Sequence, residues 1–167
     1  KSLGLTNTQT GDIAAGNLCG YLLLAVVGGF LSSHLGPRRV IGVSLIVVGL
    51  TMIATGLSRG FLSAVLWRTL TGMGSGGSNV PIMGLLAAWF TRKRRGLAMG
   101  AAVMGTSVGI IITGALIPYI LRTRGDEAWR EGWFVLGICA LVAGAAAWVL
   151  LRNRPGDVGQ SPIGMEQ

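Results

Sequence analysis

Long apolar runs, broken by short charged or turn-forming stretches, dominate the chain. Crossing the hydrocarbon core of a bilayer takes about 20 residues of helix. Five runs are of that order: about 13–32, 40–57, 61–90, 97–121 and 133–151. The pattern predicts an all-α membrane protein, a polytopic transmembrane helix bundle over residues 1–152. The third run is too long for a straight span, and its glycine-rich middle followed by Pro81 predicts a bend or tilt there. The connections are short, and the longest, 122–132, is charged enough to sit in water, so no aqueous domain is expected. The tail 153–167, with Pro155, Gly156, Gly159, Pro162 and Gly164, has no apolar period and reads as the start of a linker.

Composition agrees with lipid as the solvent. Half of the residues (51%) are hydrophobic and only 12% are charged, against about 25% in an ordinary soluble domain. Glycine, with 28 residues, would cost a water-soluble helix roughly 1 kcal/mol per interior position, but in a membrane bundle it lets backbones approach closely. The net charge of +8 lies in clusters between apolar runs, without aromatic interleaving, which marks membrane-flanking charge and argues against nucleic acid. Cys19 and Cys139 fall inside apolar runs at no metal or redox spacing and read as small packing residues. No signal peptide opens the chain, and the lack of an initiating Met suggests a segment of something longer.

Orientation follows from lysine and arginine. One set of connections holds Arg38, Arg39, Arg92, Lys93, Arg94, Arg95, Arg152 and Arg154, the other Lys1, Arg59, Arg122, Arg124 and Arg130. Eight against five predicts the first set as cytoplasmic. The chain start is then outside and its end cytoplasmic, with a bacterial inner membrane as the expected location. Trp89, Trp129, Trp133 and Trp148 lie near predicted helix ends, where interfacial anchors belong.

Three constellations carry functional interest. The first connection contains Gly29, Leu31, Ser33, His34, Gly36, Pro37, Arg38 and Arg39. Gly36 and Pro37 permit a tight turn, and the arginines can snorkel to phosphate headgroups or cap helix C-terminal carbonyls. His34 reads as a solvated loop histidine. In the third run, Arg68 is the one basic residue placed well inside a span, where a charge costs at least about 2.5 kcal/mol. At 3.6 residues per turn Arg68, Thr71, Gly72, Ser75, Ser78 and Asn79 share a small, polar stripe fit to line an aqueous cavity. The competing reading lets Arg68 snorkel to the outer interface while Gly72 and Gly74 merely pack helices. In the fourth run, Gly96 and Gly100, then Gly105 and Gly109, stand at the spacing of a packing face. Asn17 and Tyr21, and Thr106 and Thr113, either face a cavity or bond between helices.

The order Gly29, Leu31, Gly36, Arg38, Arg39 resembles the signature between the second and third helices of major facilitator superfamily transporters. Arg68, Gly72 and Gly74 resemble the pattern of that family's fourth helix. Trp89-Phe90 followed by Arg94-Arg95-Gly96, and the exit Arg154-Pro155-Gly156-Asp157-Val158-Gly159, are similar to further family marks. The resemblance implies an incomplete bundle, helices two to six, lacking the first helix and the second half. It further implies a role for Arg68 in coupling or in contacting an anionic substrate, and a cytoplasmic gate at the first connection. Ser33 stands where the family has an aspartate that holds the gate through charge, and Thr71 where it has glutamine. The fourth run has Gly105-Thr106-Ser107-Val108-Gly109-Ile110 and lacks the proline of the drug/proton antiporters, which moves the reading away from that subclass.

The expected function is secondary active transport of a small solute by alternating access, with an organic anion as the class Arg68 would attract and H+ or Na+ as the coupling ion. The alternatives are a drug/proton antiporter and a non-transporting membrane scaffold or assembly subunit. An enzyme is not expected, because no nucleophile, acid/base or metal set can be assembled in the membrane. No cofactor and no metal are expected either.

Overall fold

The structure, a computed structural model, describes residues 6–125 and 128–164. Five long α-helices form nearly all of it: α1 Asn7–Leu35, α2 Pro37–Gly56, α3 Phe61–Trp89, α4 Arg92–Arg124 and α5 Trp129–Leu150. The apolar runs fall within one residue of these helices, while α1 and α4 extend several residues past theirs at both ends. Local chemistry explains the extension of α1. Thr6 caps its start, accepting from the Gln9 N–H (3.2 Å), and the Gln9 side chain accepts from the Thr6 N–H (3.0 Å). Its helix stops where Gly36 takes a positive φ of 84°, a conformation open to glycine and strained for residues with a Cβ. Gly125 (φ 85°) ends α4 in the same way.

Four helices, α1, α2, α4 and α5, carry a stretch long and apolar enough to cross a membrane. The fifth, α3, has the length at 29 residues, but Arg68 and its Gly, Ser, Thr and Asn positions dilute its hydropathy. It is the helix with the most protein around it. One side packs along α1 and another against α2, which in turn packs on α5; α4 touches α3 and α5 only lightly.

These seams are made of glycine backbone. Along the parallel α1–α3 pair, a methyl group added at Gly20 would overlap the Thr69 carbonyl, one at Gly72 the Asn17 carbonyl, and one at Gly76 the Tyr21 carbonyl. Along the antiparallel α2–α5 pair, Gly42, Gly49 and Gly56 stand two turns apart and receive Trp148, Leu141 and Phe134 in succession. The large apolar side chains point the other way, with Val26 79%, Leu62 81% and Leu97 80% exposed. Such inversion follows from a lipid solvent, which leaves no hydrophobic drive between helices, so close contact of small residues holds the bundle.

At the end bearing Arg38, Arg39, Arg92–Arg95 and Arg152, the stretch expected to begin a flexible linker is instead folded across the α3–α4 turn. After a 3-10 turn at Pro155–Val158, the Ile163 N–H donates to the Trp89 carbonyl (2.8 Å) and its carbonyl accepts from the Thr91 N–H (3.1 Å). Trp89 Nε1–H donates to the Arg152 carbonyl (3.0 Å). Backbone donors and acceptors left at the helix ends find partners in the tail, so residues 151–164 form a strap.

Candidate functional site

The polar part of α3 begins at Arg68, two turns in from the helix start. Its guanidinium lies over the Trp133 ring of α5, 4.7 Å from the centroid. Among the described residues no carboxylate is within ion-pair distance of it; the single ion pair there joins Arg124 and Glu131 at 3.2 Å. A desolvated cation–π contact is worth about 2 kcal/mol, comparable to the lower estimate for placing an arginine in a span. Among the described residues the arginine is therefore held by a ring face and by no carboxylate. On the α1 side, Asn17 Nδ2 donates to the Arg68 carbonyl (2.8 Å), fixing the helix register at this level.

The expected polar stripe divides when the helices are assembled. Thr71 is 2% exposed; its Oγ1 lies 2.8 Å from the Trp67 carbonyl and 2.9 Å from Thr51 Oγ1 of α2. Thr51 in turn reaches the Val47 carbonyl at 2.8 Å. Thr71 is thus a buried tie between α2 and α3. Gly72 and Gly74 pack helices, the first against α1 and the second against Ser44 and Val48 of α2. Ser75 is half-buried and bonds the Thr71 carbonyl (3.0 Å). Ser78 is buried, whereas Asn79 is exposed.

Thr113 of α4 is not joined to this group. It bonds its own helix at the Gly109 carbonyl (2.7 Å) and lines an open cavity of about 650 Å³ with Thr106, Gly109 and Pro118. Gly105 and Gly109, expected to pack helices, have nothing within 4 Å of an added methyl group among the described residues. The α4 face they mark is unpartnered in this chain. Cys19 and Cys139 are likewise exposed, on α1 and α5.

The residues expected to form a gate sit at the basic end. Gly29 and Ser33 line a cleft of about 310 Å³ together with Val80 and Gly84 of α3 and Arg154 of the strap. Ser33 donates to the Phe30 carbonyl within its own helix (2.7 Å). Leu31 is 40% exposed, Gly36 makes the turn, and His34 is exposed beside Phe30, ring centroids 4.6 Å apart. Arg38 donates through Nε to the Trp148 carbonyl (2.6 Å), capping the last turn of α5, while Arg39 is exposed.

Two partners escaped sequence reasoning. Trp133 reads as an interfacial anchor, and nothing in a linear pattern sets it beside Arg68. Thr51 looks like one more small residue in an apolar run. The seven-residue spacing of Gly42, Gly49 and Gly56 was a usable signal for the α2–α5 seam.

Comparison with known proteins covers nearly the whole chain. Residues 1–166 match the family model described as Major Facilitator Superfamily. A probable sulfoacetate transporter of Cupriavidus necator is 28% identical over 151 residues, 90% of this chain and 33% of that protein. A probable hexose phosphate transport protein of Chlamydia pneumoniae is 30% identical over 162 residues, 96% of this chain and 35% of that protein. The membrane sensor protein UhpC of Salmonella typhimurium is 29% identical over 161 residues, 96% and 36%. The chain spans about a third of the length of these curated relatives. Among solved structures, a bacterial homolog of the human lysosomal transporter Spinster, inward-facing and occupied, superposes with a TM-score of 0.76 at 18% identity, over 92% of this chain and 38% of that one. That likeness concerns the fold.

Proposed function

The chain belongs to the Major Facilitator Superfamily, and we propose that it forms part of one half of a secondary active transporter that carries a small organic anion by alternating access. Arg68 carries the reading. A cation held within a helix by a ring face keeps its charge available to a ligand, and the substrates in the names of three relatives, sulfoacetate, hexose phosphate and hexuronate, are organic anions. In this reading the five helices are the second to sixth of the transporter, the basic end faces the cytoplasm, and the first helix and second half complete the cavity. Ser75 and Asn79 of α3 border that cavity, Asn17 sets the height of Arg68, and Thr113 lines it from α4. The cleft at Gly29 and Ser33 is the cytoplasmic gate, with Ser33 supplying a hydroxyl and Arg154 a charge in its lining. An H+ or Na+ gradient drives the cycle.

The test is uptake by the full-length protein in proteoliposomes, with a panel of sulfonates, phosphate esters and uronates under imposed H+ or Na+ gradients. Arg68→Ala is expected to lower kcat/KM for the carried anion by about 30- to 150-fold, the scale of one charge-assisted contact of 2–3 kcal/mol. Equal uptake by the variant would overturn the role of Arg68. A cysteine at Ser75 is expected to react with aqueous thiol reagents from one side of the membrane, and protection from both sides would remove the cavity.

A second reading is favoured by the similarity to a membrane sensor protein. In it the same site binds an anion and reports it without transport. Binding of a panel anion by the purified protein, with no uptake under either gradient, selects this reading.

A further inference from the structure

Where α2 begins and α5 ends, the chain builds a pocket away from Arg68. The Arg38 N–H donates to Asn153 Oδ1 (2.9 Å) and Arg38 Nε–H to the Trp148 carbonyl (2.6 Å). Gly42 leaves room for Trp148 to lie on α2; a methyl group there would stand 2.7 Å from the ring. Gly36 turns α1 back so that Leu35 closes the remaining side. The result is a cavity of about 430 Å³ lined by Leu35, Arg38, Arg39, Trp148 and Asn153.

Its charge is uncompensated. Among the described residues no carboxylate lies within ion-pair distance of Arg38 or Arg39. Capping α5 occupies Arg38 Nε, which leaves its terminal nitrogens and the whole Arg39 guanidinium as donors. Two such planar forks suit the oxygens of a phosphate.

Immediately deeper in the bundle the chemistry changes. Leu31, one turn before Leu35, and Val43, one turn after Arg39, border a second cavity of about 230 Å³ where α1 and α2 meet Leu70, Met73 and Gly74 of α3. Leu35 and Val43 are each 50% exposed. Cationic donors above and an apolar groove below, each bordered by α1 and α2, match an amphiphile with a phosphate at one end.

We propose that this is a binding site for an anionic phospholipid, its phosphate held between Arg38 and Arg39 and an acyl chain lying along Leu35, Leu31 and Val43. Trp148 and Asn153 face the glycerol and headgroup. The two cavities separate a lipid from a free anion, because a small phosphate would use only the upper one. Basic clusters elsewhere at this end, such as Arg92 and Lys93 at the exposed start of α4, attract anionic lipid diffusely.

The test uses the full-length protein in detergent, with retained lipid counted by native mass spectrometry after exposure to phosphatidylglycerol, phosphatidylcholine or inorganic phosphate. Wild type is expected to retain phosphatidylglycerol at least about tenfold more than phosphatidylcholine, and Arg39→Gln to lose most of that preference. Arg92→Gln is expected to keep it, and inorganic phosphate in millimolar excess to leave the lipid in place. Equal retention of the two lipids, equal loss in both variants, or displacement by inorganic phosphate would each overturn the proposal. Arg39 is exposed and has no hydrogen bond or ion pair among the described residues, so the variant reports on lipid.

Discussion

Replacing Gly72 with alanine adds one methyl group at the tightest point of the α1–α3 seam. The methyl would overlap the Asn17 carbonyl oxygen and stand 3.1 Å from the Asn17 Cα. Both atoms are helix backbone, so no side-chain rotation relieves the clash and α1 itself must move. The shift also stretches the Asn17–Arg68 hydrogen bond, now 2.8 Å. Overpacking of this kind costs about 1–3 kcal/mol, while the better helix propensity of alanine returns about 1 kcal/mol. The net expectation is a loss of up to about 2 kcal/mol. Gly11→Ala is the control: nothing lies within 4 Å of its added methyl, so only the propensity gain remains. Thermal unfolding of the full-length protein in detergent, followed by tryptophan fluorescence, should place Gly72→Ala a few degrees below wild type and Gly11→Ala at or above it. A midpoint for Gly72→Ala as high as that of Gly11→Ala would refute the close backbone approach on which the seam rests.

Thr71→Val removes one buried hydroxyl while Thr51 keeps its bond to the Val47 carbonyl. It should cost about 1 kcal/mol of stability, seen as a small drop in the unfolding midpoint. Gly49→Leu puts a side chain where Leu141 and the Gly137 carbonyl already sit. It should separate α2 from α5 and give protein that aggregates in size-exclusion chromatography. Ile163→Pro deletes the N–H that donates to the Trp89 carbonyl, and should release the strap, read as faster cleavage between Arg154 and Ile163 by added protease.

Much of this architecture is legible in one dimension. A bilayer demands helices of about 20 residues with satisfied backbones, and each apolar run lies along one of the five helices. Helix ends outside the runs were less visible, because the cap at Thr6 and the charged start of α4 belong to helix chemistry and not to hydropathy. The strap was invisible for a related reason: its Pro- and Gly-rich composition says only that it forms no long helix, and its partners are backbone groups at Trp89 and Thr91.

The candidate site shows the same division. An arginine among apolar neighbours announces itself in any sequence, since the cost of burying its charge is independent of the fold. Which side of α3 met protein did not follow from the stripe that Arg68, Thr71, Gly72, Ser75 and Asn79 share at helical period. A stripe has two edges, and only the packing of α1 on one and α2 on the other buried Gly72 and Thr71 and left Asn79 open. Sequence by itself determined the solvent of this protein, its helices and its unusual charge. Tertiary structure decided the partners, Trp133 over Arg68 and Trp148 beside Arg38, because contacts between helices depend on register and rotation, which small, featureless glycine faces specify only once the backbones touch.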